Sequence, residues 1–167
     1  LTNPQFASIV GSALAQSGLP PHRLEIGVTE NLFMLDGGGA VKILDQLLAI
    51  GVRLSLDDFG TGYSSFGYLR KARFSTVKVD RSFVSSAAKG SVESIAIIRA
   101  VVALANGLGM ATIAEGVETE EELATVRSLG CRNIQGFYFG RPMTPASIRQ
   151  YFPAIPSTHS GHERKAL

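Results

Sequence analysis

Five short runs of apolar, largely β-branched residues, at 24–29, 53–56, 76–79, 111–114 and 133–137, alternate along the chain with longer segments of helical period. In those longer segments Val41, Leu44, Leu47 and Leu48, and again Ile95, Ile98, Val101 and Val102, return to one face every three or four residues. Strand then helix, repeated, folds as a parallel sheet covered by helices, because parallel neighbours need a long crossover and the helix supplies it. Two helix starts are written out. Thr119-Glu120-Glu121-Glu122 has the pattern of a capping box, and Thr144-Pro145 that of a cap followed by proline at the first helical position. The chain has 167 residues, 45% of them hydrophobic, which is enough for one substantial core. One domain is expected over 1–152, followed at 153–167 by a Ser-, Gly- and charge-rich tail of disordered composition. The most apolar stretch, 94–105, is interrupted by Arg99 and ended by Asn106, Gly107 and Gly109, short of the roughly 20 apolar residues a span needs. No membrane segment is expected in this chain.

Charge and residue usage exclude several functions. Sixteen Lys and Arg against fourteen Asp and Glu leave a net charge of +2, and the basic residues form neither a run nor a stripe. A groove for a DNA or RNA polymer and a polybasic membrane anchor are therefore unsupported. The single Cys131 cannot close a disulfide within the chain, which fits a reducing cytoplasm, and it reads as a small buried hydrophobe. The three histidines are His22, beside Pro20-Pro21, and His159 and His162 in the tail, so zinc sites with His ligands and Ser-His-Asp triads are poorly supplied. Acid-base chemistry falls to carboxylates and lysine.

The informative residues stand at the strand ends: Thr29-Glu30, Asp57-Asp58, Lys78 then Asp80, Glu115, and Gln135. Parallel strands deliver all such ends to one rim, where active sites sit. Carboxylates with one lysine and no histidine suit hard cations bound through oxygen, Mg2+ or Mn2+ above all. Adjacent acids in an extended chain face opposite ways, so Asp57-Asp58 implies a bend if both are to reach one cation. The bland alternative is an acid pair decorating a helix start. Gly60-Thr61-Gly62 begins a dinucleotide-binding pattern but fails at Ser65. Lys78, between Val77 and Val79, needs carboxylate partners if buried, and Asp57, Asp58 and Glu115 are the candidates; it is either a working or a purely structural lysine. Glu115 precedes Gly116, which lets the backbone turn, and it too could be a helix-start acid. Phe137 and Phe139 are assigned mainly to packing.

Together, Asp57-Asp58-Phe59-Gly60-Thr61-Gly62-Tyr63-Ser64-Ser65, Val77-Lys78-Val79-Asp80-Arg81-Ser82-Phe83-Val84, Ala114-Glu115-Gly116-Val117-Glu118-Thr119 and Gln135-Gly136-Phe137-Tyr138-Phe139 resemble the EAL family of cyclic di-GMP phosphodiesterases. The resemblance implies a modified TIM barrel in which Mg2+ or Mn2+ activates water to open one phosphodiester of cyclic di-GMP, yielding pGpG. By motif match it implies Asp57 as a direct metal ligand and Asp58 as a ligand of a second metal or its waters. Lys78 corresponds to the lysine that positions the water and Glu115 to a metal- or water-activating acid. The resemblance likewise implies Gln135 near the second metal, Glu118, Arg141 and Pro142 on the substrate side, and Tyr63 and its neighbours in a loop coupled to dimerisation.

The departures shape the expectation. The Glu-Ala-Leu that names the family and the asparagine of its second strand would both precede Leu1. The third strand, which normally reads Glu-x-Thr-Glu, reads Gly27-Val28-Thr29-Glu30, so a metal-ligand glutamate is replaced by Gly27, while the loop-supporting Glu30 is kept. The expected fold is an incomplete TIM-like barrel of about five parallel strands, since a full barrel needs about 250 residues. The expected function is that of an EAL-type phosphodiesterase domain, weak or inactive as it stands, that binds divalent cations weakly. The alternative is a degenerate receptor or protein-interaction module that binds without hydrolysing. Open sheet edges would pair with a second copy or with an upstream segment.

Overall fold

The computed structural model describes residues 3–29, 32, 39–60 and 73–151. Glu30, residues 61–72 with Tyr63 among them, and residues 152–167 lie outside the described residues. The order of elements is helix α1 (Phe6–Ser17), a 3-10 turn (Pro21–Arg23), β1 (Glu25–Thr29), α2 (Gly39–Ile50), β2 (Arg53–Phe59), β3 (Thr76–Val79), α3 (Arg81–Ala88) and α4 (Val92–Gly107). Then follow β4 (Ala111–Ala114), α5 (Glu120–Ser128), β5 (Asn133–Ile134), α6 (Pro145–Ile148) and a closing 3-10 turn (Arg149–Tyr151).

The strands form one sheet in chain order, β1-β2-β3-β4-β5, and every pair is parallel. Strands laid down in chain order are the arc of a barrel, whereas a doubly wound dinucleotide fold reverses direction at a switch point. Alternation along each strand divides the residues between two faces. Val28, Leu54, Leu56, Val77, Val79 and Ala114 are buried toward the helices, against Leu44 and Leu47 of α2, Val84 of α3, Ile98 of α4 and Val126 of α5. The opposite, inner face carries Glu25, Gly27, Arg53, Ser55, Asp57, Thr76, Lys78 and Ile113. Replacing Leu54, which is completely buried, by alanine is expected to remove about 2–5 kcal/mol, read as a lower urea midpoint at unchanged slope.

Chain punctuation agrees with the caps. Thr119 and Glu122 form the full capping box of α5. Thr144 Oγ1 accepts from the Ser147 amide at 3.2 Å at the start of α6, where Pro145 opens the helix. Asp80 and Ser91, not singled out as caps from the sequence, accept from the amides of Ser82 (2.9 Å) and Ser94 (3.2 Å). Cys131 is buried, and burial pushes its thiol above the ordinary value. No helix among the described residues is long and apolar enough to cross a membrane.

Two details correct the expectation. The last strand is Asn133–Ile134 and does not continue to 137, because the backbone turns to bond Val117 instead: Val117 N donates to Gln135 O at 3.1 Å, and Tyr138 N donates to Val117 O at 3.0 Å. Phe137 and Phe139 are consequently 45% and 56% exposed, so the core closes without them and they are not packing residues among the described elements.

Candidate active site

The two acids of β2 are separated by a bend. Asp57 continues the inner face of the strand, while Asp58 adopts φ 57°, and the pairing of β2 with β3 shifts register between Leu56 and Phe59. A left-handed backbone at a non-glycine residue costs on the order of 1 kcal/mol, a cost Asp bears better than most residues. The strand thus bends at the acid pair, which is what the pair would need if both acids were to reach one cation.

On the inner face Lys78 of β3 reaches both neighbouring strand ends. Its Nζ is 2.7 Å from Glu115 Oε1, just past β4, and 3.5 Å from Asp57 Oδ1 of β2. Ser55, two residues before Asp57 and so on the same face, donates its hydroxyl to Asp57 Oδ1 at 3.0 Å. All three charged side chains are largely buried, which strengthens the attraction and makes each dependent on the others. Burial pulls the Lys78 ammonium toward deprotonation, but the hydrogen bond and charge of Glu115, together with the charge of Asp57, outweigh it and hold Lys78 above the ordinary lysine value. At neutral pH Lys78 is a proton donor and a fixed positive charge, not a base.

That shift has a sign in stability. A folded-state pKa above the unfolded one contributes fully at pH values below the ordinary 10.5 and is lost as pH rises through the raised value. The melting temperature is therefore expected to fall above about pH 10.5, and in Lys78→Met this part of the alkaline dependence should be missing.

Gly27 lies beside Ser55 in the pairing of β1 with β2. A Cβ there would stand 3.0 Å from Asp57 Cγ and 3.2 Å from Oδ1, and would overlap Oδ2. The Asp57 carboxylate thus occupies the space over Gly27 that a side chain would need.

The remaining sequence candidates divide. Gln135 is fixed by its amide, which donates to Ala114 O at 2.9 Å, and by its carbonyl, which accepts from Val117. Gln135, Arg141 and Pro142 line one concavity of about 640 Å³, with the Arg141 guanidinium 4.7 Å above the Phe137 ring. Ile113, paired with Lys78 in the sheet, lines the same concavity, so it opens beside the Lys78 cluster. Glu118 does not line it; its Oε2 is 2.7 Å from Arg81 Nη2. Sequence reasoning missed Ser55 and Arg81. Ser55 had a signal in its two-residue spacing from Asp57; Arg81 stands in the motif at 77–84, three residues after Lys78, but nothing there marks Glu118 as its partner.

A profile of the EAL domain matches residues 1–142. The chain belongs to the EAL-domain family. Among curated relatives, this EAL chain is 46% identical over 134 residues to the bifunctional diguanylate cyclase/cyclic di-GMP phosphodiesterase MucR of Pseudomonas aeruginosa, covering 80% of the chain and 19% of MucR. It is 41% identical over 145 residues to the cyclic di-GMP phosphodiesterase NbdA of the same organism, covering 87% of the chain and 18% of NbdA. The chain spans about a fifth of the length of the curated relatives it matches. The solved MucR phosphodiesterase in complex with cyclic di-GMP superimposes with TM-score 0.82 at 41% identity, over 88% of this chain and 59% of that one. The manganese/cyclic di-GMP complex of Klebsiella pneumoniae BlrP1 superimposes at 0.78 and 35% identity, over 84% and 36% of the two chains. The neighbours are EAL domains, which are TIM-like barrels, and the five strands are an arc of one.

Whether this EAL chain's residues fit such a cation is decided on the inner face. The Lys78 ammonium contacts both Asp57 and Glu115, Gly27 offers no oxygen, and the described residues contain no group of three or more His, Cys, Asp or Glu placed to hold a metal ion. By themselves the described residues do not make a cation site.

Proposed function

We propose that this chain is an EAL-type cyclic di-GMP phosphodiesterase domain that retains recognition of the dinucleotide and hydrolyses it to pGpG slowly or not at all. The observation that carries this reading is the clamp of Lys78 between Glu115 (2.7 Å) and Asp57 (3.5 Å), beside a glycine whose side-chain space the Asp57 carboxylate fills. Lys78 would donate a hydrogen bond to a phosphate oxygen or to the attacking water, and Glu115 would take up that water's proton as its oxygen bonds to phosphorus; the phosphorus–ribose oxygen bond breaks, and the leaving oxygen takes a proton from solvent. Gln135, Arg141 and Pro142 would receive the dinucleotide in the adjoining concavity. Asp57 and Asp58 supply oxygens of the kind Mg2+ or Mn2+ prefers, but a hard cation wants about six, and at Gly27 there is none to give. Weak cation binding follows, with Mn2+ calorimetry expected to show low affinity that falls further in Asp57→Asn.

The test is a titration of cyclic di-GMP into the protein with and without Mn2+, with pGpG followed by chromatography. Binding is expected, weakened about tenfold by Arg141→Ala, which removes the cation over Phe137. Absence of binding under both conditions would overturn the reading. Any Mn2+-dependent release of pGpG would exclude the second reading, a non-catalytic receptor or interaction module, which the absence of a side-chain oxygen at Gly27 favours. β1 and β5, the outer strands of the described sheet, are where we place pairing with a second copy or an upstream segment. Light scattering showing a stable monomer at high concentration would count against the second copy.

A further inference from the structure

Arg81 opens α3, directly after its capping residue Asp80, and the function proposed above does not use it. Its Nη2 is 2.7 Å from Glu118 Oε2. Its stem covers Gly116, where a Cβ would stand 2.5, 2.6 and 2.7 Å from Arg81 Cγ, Cβ and Cδ. Gly116 itself has φ 69°, so the turn after Glu115 is left-handed and leaves its open side to Arg81. Arg81 therefore grips the loop between β4 and α5 at two points.

That loop begins with Glu115, whose amide donates to Val79 O at 3.0 Å and whose carboxylate accepts from Lys78. Farther along, Val117 N donates to Gln135 O at 3.1 Å and Glu118 N to Glu122 Oε2 at 2.7 Å. Those two contacts fix the far half of the loop to Gln135, just past β5, and to α5. Arg81, three residues after Lys78, refers the loop back to the strand that carries the ammonium.

We propose that Arg81 is a positioning residue of this site: by seating Gly116 and holding Glu118 it keeps the loop in the arrangement that puts Glu115 against Lys78. The inference rests on reading Lys78 and Glu115 as the working pair, and it assigns Glu118 to the loop's support, not to contact with bound dinucleotide. The Arg81 and Glu118 side chains are 55% and 34% exposed, and a pair this open adds little to global stability. Its effect should be local.

The experiment compares Arg81→Met, which keeps much of the stem and loses the charge, with Arg81→Lys and with the exchanged pair Arg81→Glu/Glu118→Arg. Three signals are read in each: the nitrogen-proton resonance of the Lys78 ammonium, visible while it is held in a hydrogen bond, amide hydrogen exchange at Val117 and Glu118, and the melting temperature. In Arg81→Met the ammonium resonance should be lost and exchange at the two loop amides should rise about tenfold, with exchange in β2 and β3 and the melting temperature nearly unchanged. Arg81→Lys should restore most of both local signals. Unchanged resonance and exchange in Arg81→Met would overturn the proposal, and so would uniform loosening with a large drop in melting temperature, which would make Arg81 merely structural. None of these signals needs ligand, so a failure to bind cyclic di-GMP would strike the proposed function and leave this inference to its own result.

Discussion

Alanine in place of Gly136 is expected to remove about 3 kcal/mol or more of stability, a large effect for one added methyl group. The new Cβ would stand 2.7 Å from the Val117 carbonyl carbon and would overlap the Val117 nitrogen and oxygen. Those are backbone atoms, and the hydrogen bonds from Val117 N to Gln135 O and from Tyr138 N to Val117 O lock them there. Val117 is completely buried, so the loop cannot retreat without opening the core. Gly107, at the end of α4, is the contrast: nothing lies within 4 Å of a Cβ there, and its φ is ordinary. Gly107→Ala should be neutral or stabilising by up to about 1 kcal/mol. Urea unfolding followed by circular dichroism decides both. A Gly136→Ala chain within about 1 kcal/mol of the parent would mean that the loop carrying Glu115 is not held as tightly as described.

Much of this was legible in the sequence because it was written in local patterns. The strands at Thr76–Val79 and Ala111–Ala114 end where the β-branched runs end, and the capping box of α5 is read directly from Thr119 and Glu122. The bend at Asp57-Asp58 followed from the two-residue period of a strand, and the left-handed Asp58 is its realisation. Electrostatics offers Asp57, Asp58 and Glu115 as partners for Lys78, and its ion pairs run to Asp57 and Glu115. What stayed hidden is non-local. Nothing in the run 133–137 shows that Gln135 and Tyr138 will bond Val117 and so end β5 early, and nothing near Arg81 points to Glu118, 37 residues away. Nor could Gly27 reveal from its own neighbourhood that a carboxylate two registers along the next strand would lean over it.

Gly27→Glu carries the largest expected change in activity, and only in company. In the chain as it stands the new side chain would displace the Asp57 carboxylate from its present place, at the expense of its contacts with Ser55 and Lys78, and bring two carboxylates together, a mutually unfavourable arrangement without a bound cation. No gain in hydrolysis is expected from the substitution alone. Joined to the part of the solved MucR phosphodiesterase that this chain does not match, since the match covers 59% of that chain, the same substitution should raise pGpG release by about a hundredfold or more, the usual scale for regaining a well-placed electrostatic contact. Lys78→Met should abolish that gain.

The central claim, that the inner face keeps its lysine clamp and recognition but has lost the oxygen at position 27 that hydrolysis needs, is tested most directly by the rate of pGpG release from cyclic di-GMP with Mn2+. The rate is to be measured for the unmodified chain beside the MucR phosphodiesterase domain under identical conditions. The predicted result is cyclic di-GMP bound by both proteins and pGpG released by the MucR domain at least about a hundredfold faster. Equal rates from the two would contradict the account and make Gly27 incidental.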